Sequence, residues 1–293
     1  LGKNKKVVKK IRISSNWDSS KNLTDRLLLQ FLDNNIGLEH VEFVFDDSYD
    51  IIVFFNHITH DIKNGAKSFI FPHEPSWSGT HQKNIPDNTT ILGFDCKNYN
   101  KNCLESESHT FYGGRGPWVD TLDFWSFNSL TNYKFNKTKL ISSSITELDS
   151  KYGSTCLYEK RFNLLNHLNK FNFIDFYGFG QSSPRRKDSL ENYMFNISIE
   201  NSYENNWVTE KFYDNILCET IPIYYGCKNI KEIYPEDGYI LLENIDDFDY
   251  INSILKEIEN NSEKIYNQKI EGLRKIKERY LNENNLLKKI IEL

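Results

Sequence analysis

Apolar residues recur along most of the chain in two alternating rhythms, short β-rich runs and longer helical stripes. Residues 7–14 predict a strand, and Leu23, Leu27, Leu28, Phe31 and Leu32 then fall on one helical face. Residues 41–45 and 51–55 are short apolar strands, and 68–71 is another that stops at the turn Pro72-His-Glu-Pro75. Between about residues 96 and 138 the rhythm lapses into polar stretches and the glycine cluster Gly113 to Gly116. It resumes with a strand over 139–143, a helix over 157–169 and strands over 173–177 and 195–199. A helix over 209–218 and a strand over 221–225 follow.

Strands alternating with helices imply parallel sheets covered on both faces, because each crossover helix must bury its apolar stripe on the sheet it spans. Two such halves predict an α/β protein of two facing Rossmann-like domains, 1–135 and 136–293, joined within 96–138 and separated by a cleft. Ligands of open α/β sheets bind beyond the carboxyl ends of the strands, so chemistry is expected there. From Phe248 onward the pattern is helical. Phe248, Ile251, Ile254, Leu255 and Ile258 share one face, and Tyr266, Ile270, Leu273, Ile276 and Tyr280 share another. These helices are expected to pack on their own domain or back on the N-terminal one. Lys269, Arg274, Lys275, Lys277 and Arg279 would also suit a peripheral contact with a membrane surface.

The 293 residues carry a net charge of −5, which argues against broad electrostatic binding of nucleic acid. Any anionic ligand must then be met by a local cluster. No run approaches the roughly 18 apolar residues of a spanning helix, and no signal-peptide stretch follows Leu1. The chain is expected to be soluble, cytoplasmic or peripheral to a membrane; it begins with Leu rather than Met, so an anchor or stem could precede it. The five cysteines include no CxxC pair and are expected to be mostly free thiols in a reducing compartment, with Cys96 and Cys103 close enough to bridge in a secreted protein. The glycosylation sequon at Asn196 falls inside an expected strand and is not expected to carry a glycan.

Chemistry concentrates in the block Phe195-Asn-Ile-Ser-Ile-Glu-Asn-Ser-Tyr-Glu-Asn-Asn-Trp-Val-Thr-Glu-Lys. It reads as a strand, a polar loop and a helix that opens at Thr209-Glu210-Lys211. A helix start offers unsatisfied N–H groups to an anion, and a lysine in its first turn opposes the dipole unless an anion stands in front of it. Glu210 could accept from ribose hydroxyls; the other reading of this Glu-Lys pair is a solvated surface feature.

This block, continued by Cys218-Glu-Thr-Ile-Pro-Ile-Tyr-Tyr-Gly226, resembles the donor-binding motif of the α1,3/4-fucosyltransferases, glycosyltransferase family 10. Asp175-Phe-Tyr-Gly178, the approach Lys187-Asp-Ser-Leu-Glu-Asn-Tyr-Met-Phe and Phe71-Pro-His-Glu-Pro-Ser resemble further segments of that family. The resemblance implies a GT-B fold and inverting transfer of L-fucose from GDP-fucose to a hydroxyl of a glycan acceptor. It implies Glu74 as the catalytic base, and Arg161, Glu200, Asn201, Trp207, Thr209, Glu210 and Lys211 as the donor-binding set. No metal and no further cofactor are implied. The mechanical needs agree: one carboxylate to take the acceptor proton, and positive charge to stabilise the departing diphosphate. Glu200 stands in reserve as base or fucose contact. Trp207 departs from the family pattern, which has Tyr there, and trades a phenol for an indole that can only donate. Another nucleotide-activated sugar is therefore the alternative donor. A catalytically silent glycan-binding protein of the same fold is the reading from another class.

Weaker signals favour structure over chemistry. His57 and His60 with Asp61 lack a third ligand and the HExxH pattern. Asp246-Asp-Phe-Asp249 directly precedes a helical stripe and reads as its N-cap. Gly113-Gly-Arg-Gly116 reads as a hinge or an anion nest, and Arg185-Arg-Lys187 as a solvated loop or a donor-facing one.

Overall fold

The structure, a computed structural model, describes residues 8–32, 37–78, 85–94, 96, 102–106, 127–145, 153–177 and 186–293. In chain order the strands are β1 (Lys9–Ser14), β2 (Val41–Phe43), β3 (Ile51–Phe55), β4 (Lys67–Phe71), β5 (Thr89–Gly93), β6 (Cys103–Glu105), β7 (Lys139–Ser143), β8 (Ile174–Phe176), β9 (Tyr193–Glu204), β10 (Ile221–Cys227) and β11 (Ile240–Leu241). The helices are α1 (Ser20–Phe31), α2 (Phe127–Asn132), α3 (Tyr158–Leu168), α4 (Glu210–Leu217), α5 (Ile230–Ile233), α6 (Phe248–Asn282) and α7 (Leu286–Ile291).

Among the described residues the strands form two sheets, in the orders β2-β1-β3-β4-β5-β6 and β11-β10-β9-β7-β8, and every pairing is parallel. This is the α/β architecture that the alternation predicts. Its central strands are apolar throughout because both faces are covered: every residue of β3 and of β10 is buried. Ser19 caps α1 by accepting from the Asn22 N–H at 3.1 Å. Asp247 caps α6 in the same way, accepting from the Tyr250 N–H at 3.0 Å, which is the role read for the aspartate cluster.

Three expectations need correction. The stretch from residue 96 is not wholly a connector, since β6 pairs with β5 and extends the first sheet to Glu105. The strand expected over 195–199 runs on to Glu204, so the polar run Asn201 to Glu204 is strand and only 205–209 remain as loop. Cys96 and Cys103 are joined in a disulfide, while Cys156, Cys218 and Cys227 lie outside it as thiols. The free-thiol expectation thus fails for that pair, which ties the end of β5 to the edge strand.

The C-terminal helices close the molecule. Tyr280 near the end of α6 stacks on Tyr213 of α4 at 4.1 Å and meets Phe31 of α1 edge-on at 6.2 Å. Leu286, Leu287 and Ile290 of α7 are buried, and α7 packs against α1. One apolar core therefore runs through both halves. Of the five basic residues between Lys269 and Arg279, four are engaged within the fold. Arg274 and Lys277 bind Glu219, Lys269 donates to the Glu236 carbonyl, and Arg279 donates to that of Ile233. Among the described residues no helix is long and apolar enough to cross a membrane.

Candidate active site

Glu200, in the latter half of β9, is wholly buried, and its carboxylate organises the start of α4. Oε1 accepts from the Thr209 N–H at 2.9 Å and from the Tyr224 hydroxyl at 3.2 Å; Oε2 accepts from the Thr209 hydroxyl at 2.6 Å. The Lys211 ammonium lies 3.8 Å from Oε2. Burial pushes the Glu200 carboxyl above the usual range, opposed by Lys211 and by the Thr209 bonds. Burial beside Glu200 likewise raises Tyr224, which keeps its hydroxyl protonated and able to donate. This placement puts the Glu200 carboxylate, read above as a reserve base or fucose contact, wholly inside the fold.

Gly226 explains the close of the motif. Its φ is +152°, and a Cβ there would fall 2.3 Å from Cβ and Cγ of Glu200. Glycine is what allows β10 to pass over the buried carboxylate.

Thr209 has an extended backbone and caps α4, its hydroxyl accepting from the Lys211 N–H at 3.3 Å. The half-buried Lys211 ammonium donates to that hydroxyl at 3.3 Å and to Glu210 Oε1 at 2.7 Å. A lysine ammonium is thus held at a helix N-terminus, beside the backbone dipole that favours an anion. Trp207 is buried against Phe94, ring centroids 4.5 Å apart, and its Nε1 donates to Asn201 Oδ1 at 3.0 Å. The indole is a packing element of the loop.

Arg161 lies one turn into α3, which begins where the Leu157 N–H binds the Asn201 carbonyl at 3.0 Å. Its guanidinium sits 5.4 Å from the centre of the Tyr158 ring. Tyr158 also takes the edge of Trp77 at 5.5 Å, and Trp77 belongs to the turn that carries Glu74. Glu74 follows β4 directly and is partly buried. The fold therefore brings the turn bearing Glu74 and the helix bearing Arg161 onto one aromatic ring, and joins the base of that helix to the strand that fixes Lys211.

Glu204, Tyr224 and Thr155 were not legible as site residues. The polar run after Asn201 reads as loop, which hides that Glu200 and Glu204 belong to one strand. Among the described residues no group of three or more His, Cys, Asp or Glu side chains could hold a metal ion. His60 instead packs on Phe54 and bonds the Thr59 hydroxyl. Asn196 is wholly buried and donates to Ser142. The Gly113 to Gly116 cluster and Arg185 lie outside the described residues, as do the side chains of Arg186 and Lys187.

Residues 136–277, which contain β7 to β11 and the whole motif, match the profile described as glycosyltransferase family 10 (fucosyltransferase) C-term. This segment resembles glycosyltransferase family 10. A fucosyltransferase-like protein of Arabidopsis thaliana is 29% identical over 82 residues, and the alpha-(1,3)-fucosyltransferase FucT of Helicobacter pylori is 29% identical over 70. Those matches cover 28% and 24% of this chain and only 16% and 15% of the relatives' lengths. In three dimensions the likeness is wider. A solved alpha1,3-fucosyltransferase superposes with a TM-score of 0.57 over 92% of this chain and 82% of its own, at 14% identity. The T4 phage BGT complex with UDP-glucose superposes with a TM-score of 0.50 over 97% of this chain and 100% of its own, at 12% identity. The matched segment is thus the second half of a GT-B fold.

Proposed function

We propose that the chain transfers L-fucose from GDP-fucose to a hydroxyl of a glycan acceptor, with inversion at the anomeric carbon. The observation that carries this reading is the Glu200 network, which fixes Lys211 and Glu210 at the opening of α4 inside the family 10 motif. A solved alpha1,3-fucosyltransferase bound to GDP-fucose shares the fold, with a TM-score of 0.54 at 15% identity, which supports the same donor here.

In this reading residues 136–293 hold the nucleotide sugar and residues 1–135 face the acceptor. Lys211, Arg161 and the α4 N-terminus meet the diphosphate, Glu210 accepts from the ribose, and Asn201 orients donor groups. Glu200, Thr209 and Trp207 act from behind by holding that set in place. Glu74 takes the proton of the acceptor hydroxyl as its oxygen bonds to the anomeric carbon and the bond to GDP breaks on the opposite side. The two cations stabilise the charge that gathers on the leaving diphosphate, so the reaction needs no metal or further cofactor.

Calorimetry tests the donor. GDP should bind and UDP and dTDP should not, and Lys211→Ala should weaken GDP about 10- to 100-fold, the loss expected for one charge-assisted contact. Glu74→Gln should retain GDP binding and lose turnover with GDP-fucose. Equal binding of GDP to wild type and Lys211→Ala would remove the diphosphate from this helix. Trp207 supports a second reading, a different nucleotide sugar, and selective UDP binding would establish it.

A further inference from the structure

The turn that carries Glu74 is held at both ends by side chains from different sheets. On one side the His73 N–H donates to Asn56 Oδ1 at 2.6 Å, Asn56 standing directly after β3 in a left-handed conformation with φ +66°. On the other side the Ser76 N–H donates to Oε1 of Glu204 at 3.3 Å, and Glu204 is the last residue of β9 in the opposite sheet. Glu204 is only 5% exposed. Its Oε1 also accepts from the Ser202 hydroxyl and, at 3.4 Å, from that of Thr155. Its Oε2 is enclosed and makes no hydrogen bond with any described residue.

A carboxylate enclosed this way is expensive, since each buried oxygen without a donor forfeits its hydration. Three donors converge on one oxygen while the other has none, a poor arrangement for a group that merely fills the core. The arrangement is intelligible if the bond across to Ser76 is what the residue serves. We infer that Glu204 is a positioning residue: it docks the Glu74 turn onto β9 and so sets where the base stands relative to the donor. The same strand carries Glu200, which fixes Lys211. The two glutamates are four residues apart in sequence, in the stretch of β9 where its register against β10 shifts, Ile199 pairing with Tyr225 and Glu204 with Cys227. Strand β9 is then the common ruler for both reacting ends, and the inference rests on the roles proposed above for Glu74 and Lys211.

The test separates positioning from stability. In Glu204→Ala, kcat with GDP-fucose should fall at least about 10-fold, because displacements of the order of 1 Å at a reacting pair cost that much or more. GDP affinity should stay within about 3-fold of wild type, since Lys211 answers to Glu200, and Glu204→Gln, which retains an acceptor at Oε1, should restore most of kcat. Ser76→Pro deletes the donating N–H at the first position of a short helical turn. It should reproduce the loss, and adding it to Glu204→Ala should cost little more. Hydrogen exchange gives a readout that needs no turnover: the Ser76 amide should exchange faster in Glu204→Ala. Unchanged kcat, additive losses, or unchanged exchange at Ser76 would each overturn the inference. A wild type that transfers nothing from GDP-fucose would sink the proposed function instead, and the exchange measurement would still decide the link to Glu204.

Discussion

Lys137 shows how much a single residue can carry here. Its ammonium is enclosed by the carbonyls of Leu190, Glu191 and Cys218 and the Thr220 hydroxyl, at 2.7 to 3.2 Å, with the Phe135 ring 5.1 Å away. Burial lowers its pKa to about 7. Between pH 7 and the usual lysine value near 10.5 the unfolded chain then binds more protons than the folded one, so stability should rise with pH across that window. The slope should approach about 1.4 kcal/mol per pH unit for one proton, and denaturant titrations of Lys137→Met should lack that increment. Gly226 makes a steric claim of the same scale. Gly226→Ala must push Glu200 off its bonds, so it should cost about 1–3 kcal/mol in unfolding free energy and weaken GDP binding together. A variant that melts normally and binds GDP normally would refute the close approach.

At the scale of elements, the loop 205–209 is clasped from the first sheet. Phe94, directly after β5, packs on Trp207, and Glu105 at the end of β6 accepts from Asn206 Nδ2 at 3.3 Å. The Cys96–Cys103 disulfide lies between these two contacts in sequence and holds β6 to β5. Closing so short a loop is worth about 2 kcal/mol by chain entropy. Reduction should therefore lower the melting temperature by a few degrees, and Trp207 fluorescence should report a looser loop at temperatures where the protein is still folded. Helix α4 owes its start to Thr209 and Glu200 rather than to intrinsic propensity, because eight residues are too few to form a helix in isolation.

Over the whole molecule, the chain's last helices join what its middle separates. Tyr280 touches α4 in one half and α1 in the other while remaining 3% exposed. Tyr280→Ala should cost about 3 kcal/mol, seen as a lower urea midpoint in one cooperative transition. A second transition appearing in that variant would show that the halves unfold separately. Gly272 permits the same closure. A Cβ there would stand 2.5 Å from the Asp237 side chain, so α6 lies directly on the turn before β11.

Periodicity alone determined the alternation of strands and helices, the parallel sheets and the helical C-terminus, since burial on one or both faces leaves a repeat that any window of the chain displays. Local chemistry determined the caps at Ser19, Asp247 and Thr209 and the crowding of polar residues at the start of α4. Tertiary structure decided what each of those residues does. Glu200 and Glu204 look alike in the sequence, two acidic residues in one polar run, yet one braces Lys211 and the other reaches across to Ser76. Trp207 reads as a ligand surface and is packing. The reason is physical: a hydrogen bond such as that between Ser76 and Glu204 joins groups 128 residues apart, and no local pattern encodes which acceptor a folded sheet will bring to a donor.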